Sequence, residues 1–153
     1  MRFFVSLCCV AVVAGCSKPD APPAQDTTAV APAAPAPITL ADVAGRWVIK
    51  TMAENNDSVL VTSEMTATAD TSGWVTTIPG RPAMPTRVLE VAGDSITIEF
   101  GPFNSVLRPG TQVTTRSVMR LRDGRLVGHL MAHYVTAGAD SVARLRLEAT
   151  RAP

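Results

Sequence analysis

From Gly45 onward, apolar and polar residues alternate with a period of two, in short runs separated by turn residues. Successive side chains of a strand point to opposite faces, so this alternation predicts half-buried strands. The runs are Trp47–Met52, Ser58–Thr68, Trp74–Ile78, Thr86–Val91, Ser95–Phe100, Gln112–Leu121, Leu126–Val135 and Val142–Thr150. All are rich in Val, Ile, Thr and Leu, which suit a pleated surface. No stretch sustains an apolar repeat at helical spacing, and Leu40–Val43 offers one helical turn before the first strand.

Two hairpins are legible in detail. Arg122-Asp123-Gly124-Arg125 places Asp-Gly at a two-residue turn, the strongest short-range hairpin signal. The register then pairs Leu121 with Leu126, Met119 with Gly128, Ser117 with Leu130, Thr115 with Ala132 and Val113 with Tyr134. That face is uncharged and is assigned to the interior, because a one-residue slip would bury the arginines and histidines of the other face. Ala92-Gly93-Asp94-Ser95 predicts a second tight turn, with Leu89, Val91, Ile96, Ile98 and Phe100 inward. Arg87 shares that phase and is expected opposite Phe100, at the mouth of the domain.

Eight antiparallel strands joined in order by short turns predict an all-β, up-and-down barrel, because closure removes the exposed edges of an open sheet. A barrel of this size is either filled by side chains or holds one small ligand. The residues expected inside are Trp47, Val59, Val61, Met65, Ile96, Ile98, Phe100, Met119, Leu130 and Tyr134. The rival architecture is a pair of stacked sheets.

The N-terminus is of another kind. Arg2 precedes an apolar run from Phe3 to Val13, followed by Ala14-Gly15-Cys16. A positive start, a short apolar core and small residues before a cut site predict an export signal over residues 1–15. Residues 16–38 are a linker rich in Ala and Pro, which removes backbone donors and favours extended, polyproline-like conformations. It reads as a disordered, semi-rigid tether of about 3.1 Å per residue where extended. Residues 39–153 then form the folded domain.

Val13-Ala14-Gly15-Cys16 resembles the lipobox of bacterial lipoproteins. The resemblance implies cleavage before Cys16 and lipidation of its thiol, hence a membrane anchor in the cell envelope. Ser17, where that family places an inner-membrane retention aspartate, implies the outer membrane in an organism that has one. Cys8 and Cys9 leave with the signal, so the mature chain has no second thiol for a disulfide or a thiolate metal site. The net charge of +1, from scattered charges, gives no footprint for nucleic acid.

Gly45-Arg46-Trp47 at the first strand resembles the Gly-x-Trp signature of lipocalin-like (calycin) barrels. In that family the tryptophan closes one barrel end and an arginine from the last strand packs over its ring. Arg151, in phase with Leu145, Leu147 and Ala149, matches that position, which implies a cation–π contact with Trp47.

Candidates for chemistry are few. His129 and His133 lie on one strand face but about 13 Å apart, too far to share a metal ion. No Gly-x-Ser-x-Gly elbow is present. Glu54 and Asp57 sit in a polar turn whose side chains cap their own backbone. The sequence therefore points to a monomeric protein without catalysis, metal or other cofactor. Arg87, Phe100 and Tyr134 are the candidate contacts for a small hydrophobic ligand. The loops 79–85 and 101–110 are candidate recognition surfaces. A second reading is a protein-interaction module with a filled barrel. Interior volume separates the two, since a cavity of several hundred cubic ångströms favours a ligand.

Overall fold

The structure, a computed structural model, describes residues 36–136 and 141–153. The expected signal, Cys16 and the tether up to residue 35 lie outside the described residues. One helical turn, α1 (Leu40–Val43), precedes eight strands. These are β1 (Gly45–Ala53), β2 (Val59–Ala67), β3 (Val75–Thr77), β4 (Met84–Ala92), β5 (Ser95–Asn104), β6 (Gln112–Arg122), β7 (Arg125–Tyr134) and β8 (Val142–Arg151). Each pairs antiparallel with the next, and β8 returns beside β1 to close the barrel. The domain is thus the all-β, up-and-down barrel that the alternation predicts, and it is compatible with a calycin-like fold.

The β6–β7 hairpin has the predicted register from Leu121↔Leu126 through Val113↔Tyr134. Asp123 and Gly124 adopt φ of 50° and 75°, the left-handed pair that matches the twist of the flanking strands.

The β4–β5 hairpin corrects one expectation. Its turn pairs Ala92 with Ser95 and Val91 with Ile96, but the register then shifts between Val88 and Glu90. Leu89 is the extra residue of this bulge. A bulge reverses the facing of every residue beyond it. Thr86 and Val88 therefore turn inward, opposite Phe100 and Ile98, while Arg87 turns outward opposite Glu99. Leu89 and Val91 are about two-fifths exposed.

Two smaller corrections concern Val59 and Ile38. Val59, expected inside, is 48% exposed, because the β1–β2 register slips between Thr51 and Met52 at the end of β2. Ile38, read as the last tether residue, packs in the core and donates its N–H to the Gly93 carbonyl at 2.9 Å.

The up-and-down order gives the barrel two unlike ends. One carries α1, the β2–β3 loop and the tight turns at Gly93 and Gly124. It is filled by the largest buried side chains, among them Trp47, Trp74, Met65, Ile96, Met119 and Leu126. The other carries the β1–β2, β3–β4, β5–β6 and β7–β8 connections. Its interior layers mix smaller residues, Thr51, Ser63, Thr76, Thr115, Ser117 and Ala132, all buried, with Phe100, Leu130 and Tyr134.

Candidate functional site

The closed end is a clasp around Trp47. Its ring is fully buried, and its indole N–H donates to the Val43 carbonyl at 2.7 Å. The Arg151 guanidinium lies 4.5 Å from the ring centre. It donates to the Ala44 carbonyl at 2.8 Å and the Asp42 carbonyl at 2.9 Å. Arg151 and Trp47 are directly opposed on β8 and β1. Together they satisfy the carbonyls that α1 leaves unpaired at its C-terminal side. Gly45 is part of the clasp, since it holds φ of 129° and an added Cβ would stand 2.8 Å from Arg151 Nη1. Thr39 caps the other side of α1, and its hydroxyl and amide hold the Asp42 carboxyl below the usual carboxylate range. The Trp47 indole N–H, the Arg151 guanidinium and the Thr39–Asp42 pair are thus all engaged within the frame.

The open end differs. An internal cavity of about 60 Å³ runs between the middle of the barrel and the β5–β6 loop. Its lining is largely apolar and includes Phe100, Phe103, Leu107, Leu130 and Tyr134. Of the hydroxyls around it, Thr76 and Thr86 bond each other at 2.8 Å, and Thr115 donates to the Phe100 carbonyl at 3.3 Å. Ser105 accepts from the Leu107 and Arg108 amides and so shapes its own loop. Thr51, Ser63 and Ser117 line the cavity without a side-chain hydrogen bond among the described residues. No buried side-chain polar atom there is both sealed and unpaired, so these three hydroxyls face the open space. Each can take a water or a polar atom of a guest.

The lid of the cavity is aromatic and cationic. Phe100 and Phe103 stack with centroids 5.3 Å apart and planes 7° from parallel. Arg108 lies over Tyr134 at 4.1 Å, and Arg81 over Phe103 at 5.9 Å. Around the same end, Val59, Leu60, Val106, Leu107, Val135 and Val142 are between 38% and 75% exposed. The volume falls far short of the several hundred cubic ångströms of a drug-sized site, yet exceeds what one water needs. The interior is neither hollow nor filled.

Phe100 and Tyr134 are thus brought together on the cavity, as their phase predicts. Arg87 is not: it is exposed, ion-paired with Glu99 on the outer face, and not among the lining residues. His129 and His133 are exposed on the outer wall. A shallow groove of about 300 Å³ lies beside His129. Its charged residues are engaged: Arg120 with Asp94, Arg146 with Asp57 and Glu148 with Arg125. No group of three His, Cys, Asp or Glu side chains suited to a metal exists among the described residues. No described helix is long and apolar enough to cross a membrane, which leaves strands unaddressed.

The pattern of alternation missed Phe103, Arg81 and Arg108. The β5 register shifts between Phe100 and Phe103, so β5 runs on through Pro102 to Asn104 and lays the second ring on the first. The loops carrying these residues were recognisable by their Pro and Gly content, but nothing in that composition sets two guanidinium groups over two rings. The chain matches no protein-family model, no curated protein and no solved structure.

Proposed function

We propose that this chain is a lipid-anchored, non-catalytic binding protein of the cell envelope. It takes a slender apolar guest, such as a single alkyl chain, through the open end of its barrel. The observation that carries this reading is the apolar cavity at that end, in an interior otherwise filled. Its volume sets the guest's shape: a few methylenes enter, and the exposed aliphatics of the mouth sheathe the rest of the alkyl chain. Burying each methylene is worth about 0.8 kcal/mol, so a short tail yields weak to moderate affinity.

Anchoring rests on the lipobox resemblance at Cys16. Two acyl chains there suffice to hold the domain at a membrane without a polybasic patch. The second reading, a protein-interaction module, draws on the cavity's small volume and on the exposed aliphatics of the open end.

Titration of isotope-labelled protein with 1-octanol, followed by NMR, separates the two. Saturable shifts confined to Phe100, Ser117, Leu130 and Tyr134 support a guest inside the barrel. Absence of shifts, or shifts scattered over the surface, contradicts it. Metabolic labelling with an alkynyl palmitate analogue tests the anchor: wild type should incorporate label, and Cys16→Ser should not. Label retained in Cys16→Ser would sink the lipoprotein reading.

A further inference from the structure

The hydroxyls on the cavity wall indicate what the inner end of the guest carries. Thr51, Ser63 and Ser117 are 6%, 7% and 3% exposed, and their hydroxyls have no hydrogen-bond partner among the described residues. A hydroxyl buried to this degree ordinarily finds a partner, because leaving it unmet costs free energy. These three instead face the open space. Ser63 and Ser117 stand at its inner end, one inward-facing position from Met65 and Met119, which help to fill the closed half. They belong to β2 and β6, four strands apart in a closed barrel of eight, so they face each other across the interior. Thr51 follows on β1, the neighbour of β2. The mouth end of the cavity is apolar, with Phe103, Val106, Leu107 and Val113 on its wall. The polar groups therefore lie deep and the apolar ones lie near the entrance. Among the described residues, no Asp, Glu, Lys, Arg or His lines the cavity. An ion at that depth would lose its hydration with no counter-charge to replace it.

We propose that the guest is a small neutral amphiphile that enters polar end first. Its hydroxyl, carbonyl or carboxamide meets Ser63, Ser117 and Thr51, and its short apolar tail lies along the mouth residues. This rests on the guest-binding reading above and adds the guest's chemistry and direction. A serine or threonine hydroxyl both donates and accepts, so each of these neutral heads is satisfied. An ionised head stays in water at the mouth. An amphiphile such as octanoate then enters tail first, leaves the hydroxyls unmet and binds more weakly.

The test uses the chain from residue 16 onward, carrying Cys16→Ser to keep it free of lipid, and titrates it by NMR with 1-pentanol and with 1-chloropentane. The two share a tail, but only the alcohol hydrogen-bonds in both directions. The chloroalkane leaves water more readily, so a purely apolar slot prefers it. Wild type should prefer the alcohol. Ser63→Ala/Ser117→Ala should move the ratio of the two affinities toward the chloroalkane by about tenfold or more, as loss of buried hydrogen bonds provides. If the double variant does not fold, Thr51→Val, which keeps the side chain's shape, must move the ratio in the same direction. In the bound alcohol, nuclear Overhauser contacts should join the C1 protons to Ser117 and the methyl group to Leu107. A wild-type preference for the chloroalkane, a ratio unchanged in the variants, or a methyl group against Ser117 overturns the polar-end-first inference and leaves guest binding standing. Absence of binding by both ligands overturns both readings.

Discussion

Gly45 and Arg151 make the closed end a matter of single atoms. The guanidinium bonds the Ala44 and Asp42 carbonyls at a place that a side chain at position 45 would crowd, and position 45 holds a φ of 129° that side chains rarely adopt. Gly45→Ala should therefore destabilise the domain by about 1–3 kcal/mol, from backbone strain and displaced Arg151 together. Trp47→Ala should cost about 3–5 kcal/mol, since it empties a fully buried site. Denaturant titration reads both, and a Trp47→Ala loss below about 1 kcal/mol, the range of surface positions, would contradict the clasp. At the open end, Ser117 is 3% exposed and faces the cavity. Ser117→Val should stabilise the domain by about 0.5–2 kcal/mol by filling space and should weaken octanol binding. A loss of stability of about 1–3 kcal/mol would instead mean that the site is already full. The pair Trp47 and Arg151 was legible in the sequence because a short signature and strand phase both pointed to it. The free hydroxyls were not, since Ser and Thr are equally at home on the outer face of a strand.

Among elements, β4 shows where phase counting ends. The Gly93-Asp94 turn and the alternation of Ile96, Ile98 and Phe100 fixed β5, but one extra residue at Leu89 reversed the outer half of its partner. Nothing in Thr86–Val91 marks that bulge, since apolar residues stand on both sides of it. The β6–β7 hairpin contains no bulge, and its whole register was readable. The outward placement of Arg87 has a direct check: Arg87→Ala should leave octanoate affinity unchanged and alter stability by about 1 kcal/mol or less, as for an exposed ion pair. A tenfold loss of affinity would restore Arg87 to the site. The β4–β5 turn also carries a titrating group. Arg122, and with it Arg120, hold the Asp94 carboxyl below the usual carboxylate range, against a smaller opposing effect of burial. A carboxyl lowered by folding contributes stability above its unfolded pKa of about 3.9 and loses it as pH falls through the folded value. The stability gap between wild type and Asp94→Asn should be full above about pH 4 and shrink below it. A gap that stays constant from pH 7 to pH 2 would contradict this assignment.

At the scale of the molecule, closure follows from strand number and short connections, which is why the barrel was legible before any distance was known. What alternation does not encode is how far the interior fills. The inward positions carry Trp, Met and Ile at one end, and at the other Ser, Thr and Ala interleaved with Phe100, Leu130 and Tyr134. The difference appears only when the layers are stacked. The result is a closed end that fixes the frame and an open end that leaves a cavity. β3, with three residues and the fewest pairs to its neighbours, is the seam of the wall. Its amides should exchange fastest among the strands, and protection equal to that of β6 would contradict this placement.

The central claim is that the open half of the barrel holds a slender guest. Native mass spectrometry of the protein purified from its own host, without added ligand, tests it most directly. The spectrum should contain a population heavier by one single-chain molecule, released on denaturation and displaced by octanoate. A spectrum showing the chain at its own mass alone, unchanged on addition of octanoate or octanol, would contradict it.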